Sequence, residues 1–232
     1  MENSPFLGEL LGTFFLILLG DGVVANVLLK QTKGHNGGLI VITTGWAFAV
    51  MIGVFVSQKF GSQAAHLNPA LTIAFAFQSG DWTNVLPFIS AQMIGAFLGA
   101  TMVWLFYYPH WKVTDDQAAK LGIFCTGPAI RHYSSNLLGE IVGTFVLFVG
   151  VSSIYAELGT GIAPFLVGML VLAIGNSLGG TTGYAINPAR DLGPRLAHAL
   201  LPIAGKGTSD WNYAWIPILG PIIGGLLGVL LF

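Results

Sequence analysis

The chain has 232 residues, of which 54% are hydrophobic and only 8% charged; soluble domains carry about 25% charged residues, so this composition excludes one and describes a membrane protein. Nine Lys plus Arg against ten Asp plus Glu give a net charge near −1 and leave no basic surface for phosphate contacts, which excludes nucleic-acid binding. The single cysteine, Cys125, excludes an intramolecular disulfide and a thiolate metal site, so the fold stands on packing and lipid burial.

Crossing the hydrocarbon takes about 20 apolar residues. Such stretches predict six spans, at about 5–28, 38–57, 85–108, 137–155, 163–178 and 215–231, the fifth being the shortest. No cleavage signature follows the first, which therefore reads as a true span and not as a removable leader. Residues 109–136 carry Lys112, Asp115, Asp116 and Lys120 and read as a solvated connection, not a second domain. Ahead of the third and sixth spans stand the triplets Asn68-Pro69-Ala70 and Asn187-Pro188-Ala189, followed by apolar segments, 71–77 and 192–201. These are too short to cross at about 1.5 Å per residue, and each reads as a half-helix. Asn is a favoured N-cap and Pro a favoured first helical residue, so each triplet marks a helix start with its free N–H groups and positive dipole end.

The chain is also a duplication. Gly8-Glu9-Leu10-Leu11-Gly12-Thr13-Phe14 returns as Gly139-Glu140-Ile141-Val142-Gly143-Thr144-Phe145, the triplets repeat, and the stretch from Ala91 to Gly99 answers to that from Gly220 to Gly228. The expected organisation is one channel domain over 1–232, with a first repeat at 1–108, a connection at 109–136 and a second repeat at 137–232. Three spans per half force the copies into opposite orientations, so that a site made by both lies near mid-membrane. Irregular backbone at that depth survives only where it is buried in protein or lines a wet cavity, so the segments 61–67 and 179–186 are expected to offer carbonyls to a pore.

The two triplets, His66 ahead of the first, Arg190 after the second and the Glu-bearing repeat resemble the aquaporin superfamily over essentially the whole chain. The resemblance implies an all-α membrane fold of six transmembrane helices and two re-entrant half-helices, no enzymatic activity, no cofactor and no metal. It further implies a homotetramer with one pore per subunit, and exclusion of ions and protons by an Arg and the half-helix dipoles. Within the superfamily, Trp46, Gly175, Tyr184 and Arg190 resemble the selectivity filter of glycerol facilitators, the aquaglyceroporin subgroup, where water-selective members place a His at the Gly175 position. Tyr107, Asp191, Arg195, Pro217 and Ile218 resemble markers of the same subgroup. Tyr184 departs from the more usual Phe.

A small polyol fits this chemistry: its carbons slide along Trp46 and Tyr184 while its hydroxyls meet Arg190 and backbone carbonyls on the other side. Asn68 and Asn187 are expected to orient it at the pore centre, and Ala64, Ala65, His66, Leu67, Gly183, Ala185 and Ile186 to line the path. Glu9 and Glu140 read as braces for the re-entrant loops in preference to proton carriers. Asp21, whose repeat position holds Ser152, lines the mouth near the filter or ends a helix in solvent. His66 reads as a hydrogen-bonded residue of the inner mouth, because the five histidines show no ligand spacing. Trp82, Trp104, Trp111, Trp211 and Trp215 read mostly as interfacial anchors, the Gly95/Gly99 and Gly220/Gly224/Gly228 runs as close packing within one subunit, and Cys125 as an inert loop residue.

Lys and Arg concentrate in the odd-numbered connections, which by charge alone places the N-terminus outside; the resemblance implies the reverse, with both termini cytoplasmic, and this is the reading adopted. The expectation is a passive channel for glycerol and other small neutral solutes, with water, in the lipid bilayer of a bacterial inner membrane. Dihydroxyacetone, urea, hydrogen peroxide and protonated lactic acid are compatible in size and neutrality. The rival readings are a water-selective pore of the same fold and, from another class, an ion-coupled transporter using Glu9, Asp21 or Glu140 as carrier.

Overall fold

A computed structural model describes residues 3–158 and 161–232, and among these all regular structure is helical. The first half contains α1 (Pro5–Leu28), α2 (Leu39–Lys59), α3 (Pro69–Ser79) and α4 (Val85–Phe106). The connection folds into α5 (Tyr108–Val113) and α6 (Gln117–Phe124), and the second half contains α7 (Tyr133–Leu158), α8 (Ala163–Leu178), α9 (Pro188–Leu200) and α10 (Ile216–Val229). By length and apolarity α1, α2, α4 and α7 are candidate membrane spans, while α8 and α10 are shorter apolar helices.

The starts of the helices follow from local chemistry. Ser4 caps α1, accepting from the Leu7 N–H at 3.2 Å, with Pro5 as the first helical residue. Asn68 and Asn187 cap α3 and α9 in the same way, each followed by Pro. Gly80, left-handed at φ 76°, stops α3. The C-terminal carbonyls of α9 are taken by the Lys206 ammonium, which donates to His198 O, Ala199 O and Leu201 O at 2.6 to 2.8 Å.

Packing in one half recurs in the other. Helix α1 lies against α2 and α4, and α7 against α8 and α10. The half-helices are exchanged, α3 packing on α10 and α9 on α4, while α2 meets α8 across the halves. The close contacts share a register: a Cβ built on Gly95 would stand 3.0 Å from Phe14 N, and one on Gly224 3.0 Å from Phe145 N. These glycines therefore let α4 and α10 approach the backbones of α1 and α7 within one subunit.

The connection differs from the solvated loop expected of its charges. Within it Trp111, Phe124 and Cys125 are buried, and Lys120 is 2% exposed because its ammonium reaches across to donate to Ala204 O. The Trp111 indole donates to Trp104 O at 2.9 Å, so this tryptophan is core and not an interfacial anchor. Cys125 ends α6, its N–H donating to Leu121 O.

Candidate functional site

Two irregular segments, 61–68 and 179–187, run into the capped ends of α3 and α9. Each holds a pair of left-handed non-glycine residues in matching places, Ala65 (φ 44°) and Leu67 (φ 49°) in one, Tyr184 (φ 39°) and Ile186 (φ 43°) in the other. Such residues persist only where surrounding bonds over-determine them. Here a buried carboxylate does so. Glu9 Oε1 accepts from His66 N (2.8 Å) and the Ser62 hydroxyl (2.7 Å), and its Oε2 from Leu67 N (2.8 Å) and the Gln92 amide (2.8 Å). Glu140 Oε1 accepts from Ala185 N (3.0 Å) and the Thr182 hydroxyl (2.7 Å), and its Oε2 from Ile186 N (2.8 Å). With the N–H groups drawn back onto the acids, no donor of the described residues reaches the carbonyls of Ala64, Ala65, His66, Tyr184 or Ala185.

The two half-helix ends are tied together by a reciprocal bond. The Asn68 amide donates to Ile186 O at 2.7 Å and the Asn187 amide to Leu67 O at 2.8 Å. Their side-chain oxygens meanwhile cap Ala70 N, and Ala189 N with Arg190 N. An amide nitrogen carries two hydrogens, so each Asn keeps one for the cavity that both side chains line.

That cavity has a volume of about 70 Å³, room for a short file of small molecules. One wall is apolar: Val50 and Val54 from α2, Val167 and Val171 from α8, and Leu16 and Leu147 at repeat positions of α1 and α7. The other carries Ala64, Ala65, His66, Leu67, Ala185 and Ile186.

At one end Trp46, Tyr184 and Arg190 line the cavity together. The sequence reading placed Arg190 across the lumen from the aromatics; instead its guanidinium lies over the Trp46 ring, Cζ 4.1 Å from the centroid. No carboxylate pairs with Arg190 among the described residues. Its Nη1 is enclosed without a partner, as is the Tyr184 hydroxyl, while the residue itself lines the cavity. Gly175 does not line the space. It lies behind Tyr184, where an added Cβ would stand 2.9 Å from the ring and 3.0 Å from Thr43, so its lack of a side chain sets where that ring sits. Gly183 does not line it either: at φ 82° it turns the chain against Thr126. Asp191 and Arg195 form a buried ion pair at 2.8 Å, extended by Thr126 to Asp191 and by Arg195 to Ser209 O and Thr126 O. This pair braces α9 next to Arg190 and stays outside the cavity. Tyr107 ends α4, and Pro217 and Ile218 lie in the first turn of α10, away from the cavity.

At the other end the cavity opens into wider space shared by His66, Ala64 and Phe75. Proton accounting fixes His66 here. Gln92 spends both amide hydrogens, on Glu9 and on the Thr72 oxygen (3.0 Å), and the Thr72 hydroxyl donates to Asn68 O (3.0 Å). The Thr72 oxygen is thus left to accept from His66 Nδ1 at 3.2 Å. The neutral imidazole then carries its proton on Nδ1 and presents Nε2 as an acceptor to the open space.

Asp21 is neither at the mouth nor in solvent: it is fully buried, with no donor among the described residues on either carboxylate oxygen. Sequence reasoning missed Gln92 and Thr72, because the repeat position of Gln92 is Pro221 and that of Thr72 is Asp191. It also passed over the valine pairs, although their four-residue spacing on adjacent apolar helices marks one face. Among the described residues no group of His, Cys, Asp and Glu could hold a metal ion.

Residues 3–232 match the family model described as Major intrinsic protein. The chain is 60% identical over 231 residues to the "Probable glycerol uptake facilitator protein" of Thermotoga maritima, covering 99% of this chain and 98% of that one. It is 55% identical to the "Glycerol uptake facilitator protein" of Bacillus subtilis, over 97% of this chain and 82% of that one. Among solved structures, the aquaglyceroporin from Plasmodium falciparum superposes with a TM-score of 0.83 at 30% identity, covering 97% of this chain and 93% of that chain.

Proposed function

Because the chain belongs to the major intrinsic protein family, we propose that it is a passive, non-enzymatic channel for glycerol and related small neutral solutes, with water as co-permeant. The observation that carries this reading is the polar-and-aromatic end of the cavity, where Tyr184 and Arg190 line one space and Gly175 leaves the Tyr184 ring room to lie back. A polyol presents a carbon chain to one side and hydroxyls to the other. Its oxygens meet Arg190 first, then the carbonyls of Tyr184 and Ala185, the free amide hydrogens of Asn187 and Asn68, and the carbonyls of His66, Ala65 and Ala64. Its carbons run along the valine and leucine wall. Contacts of this kind are weak and repeated, which keeps passage fast.

Cations are excluded in this reading by Arg190 and by the two half-helix N-termini, each worth about half a positive charge. Protons are excluded because both asparagines donate at the centre and so turn water oxygens inward from each side. The single domain is read as two repeats, 1–108 and 137–232, joined by 109–136. It sits in a bacterial inner membrane with both termini cytoplasmic, as a homotetramer in the bilayer.

Stopped-flow light scattering on proteoliposomes tests the function. Wild-type vesicles shrink in an impermeant osmolyte and re-swell in glycerol, and Gly175→His abolishes re-swelling while water flux persists, since the new side chain drives Tyr184 into the lumen. Water flux without glycerol re-swelling in the wild type leaves a water-selective pore instead.

A further inference from the structure

Asp21 is an acid that the permeation path does not use. It lies in the middle of α1, fully buried, and both carboxylate oxygens are enclosed without a donor from the described residues. The charged groups whose fields reach it are Arg190, attractive, and Asp191, repulsive. Its neighbour Gly20 touches the Trp46 ring, and the Arg190 guanidinium rests on that same ring. Asp21 therefore stands next to the filter and outside the cavity that Trp46 and Arg190 line.

The filter has a matching deficit. Arg190 is always charged, it is 7% exposed, and its Nη1 is turned into the protein with no acceptor. The other basic group here, Arg195, is fully matched by Asp191, so Asp191 has no charge to spare. Glu140 is spent on the loop N–H groups. Buried charges in proteins are paired, and among the described residues Asp21 is the enclosed acid whose oxygens have no partner. Two acceptors without donors and one nitrogen without an acceptor, within each other's field, are what an internal water joins.

We propose that Asp21 is a positioning and specificity residue for the filter, holding Arg190 Nη1 through buried water and setting how much positive charge the guanidinium shows to the permeant. The inference rests on the reading of Arg190 as the filter cation. With the carboxylate in place the filter presents N–H donors with part of their charge offset, which suits a neutral hydroxyl. Without it the same donors sit in an uncompensated positive field, which favours small anions.

The test uses full-length protein in proteoliposomes at pH 7, with glycerol, water and formate as probes. For Asp21→Asn the formate-to-glycerol permeability ratio rises about tenfold, the scale of one unit charge removed at short range in a partly screened site, and Asp21→Glu returns it towards wild type. A merely structural role moves glycerol and water in parallel, lowers the melting point and leaves the ratio alone; that result, or a ratio unchanged at wild-type flux, overturns the proposal. Should Asp21→Asn fail to reach the membrane, a crystal structure of the wild type at a resolution that shows waters decides. Ordered water within hydrogen-bond distance of both Asp21 and Arg190 Nη1 supports the link, and a dry gap overturns it. If wild-type protein passes no glycerol, the channel reading fails instead, so the two failures are distinguishable.

Discussion

A neutral histidine where the cavity widens has two faces, and here the network behind it chooses which one the permeant meets. Gln92 fills one acceptor site of the Thr72 oxygen and Asn68 O takes its proton, so Nδ1–H is the form that completes the set. Nitrogen-15 NMR of His66 is expected to show a protonated Nδ1 and a bare Nε2, and Thr72→Val to mix the two forms. A wild-type signal with the proton on Nε2 would sink the assignment. The path then offers a donor at one end, Arg190, and an acceptor at the other, which suits a permeant whose hydroxyls do both. None of this was legible from sequence, which identified His66 as hydrogen-bonded but could not see its partner six residues on, because no repeat copy of Thr72 exists to mark it.

The re-entrant loops are the elements on which the pore depends, and their conformation is held by acids placed far away in sequence. At Glu140 three donors share two oxygens, so Glu140→Gln leaves one donor facing an NH2 group. The bond lost is a hydrogen bond to a charged group, about 1.5–3 kcal/mol. The expected outcome is a lower melting midpoint in detergent by tryptophan fluorescence together with slowed glycerol flux. Glu9→Gln is expected to cost at least as much, because the Leu67 N–H then faces an NH2 group and the Gln92 amide must turn to offer its unpartnered Oε1, giving up its bond to Thr72; a clearly higher melting midpoint for Glu9→Gln than for Glu140→Gln would contradict this. The bracing acids and the half-helix starts were readable because the duplication marks them twice: Asn-Pro-Ala is a local cap signal and Glu recurs in register. The short helices α5 and α6 were not. They hold 6 and 8 residues and carry lysines, and only the distant carbonyl of Ala204 makes burial of Lys120 tolerable. Gly175 was found, yet its role was legible only in part, since a glycine's spacing in sequence does not show whether it faces the lumen or the ring beside it.

At the scale of the whole molecule, the two inverted-looking halves meet in one shared cavity, and what separates a channel from a coupled transporter is whether any acid is free to carry a proton across it. Glu9 and Glu140 are not: each holds backbone N–H groups of a loop, so protonating either would release the strained residues that line the path. Asp21 is enclosed and lines none of the cavities described. The half-helix ends are fastened to each other by reciprocal asparagine bonds, which tie the two halves together across the cavity. Transport is therefore expected to be driven by the solute gradient alone. In proteoliposomes loaded with labelled glycerol, flux should be equal in both directions and unchanged when a proton gradient is imposed or collapsed with an uncoupler, and the solute should never exceed its outside concentration. Accumulation above that level, or loss of uptake on adding the uncoupler, would show that one of the three acids does move a proton and would return the molecule to the transporter class.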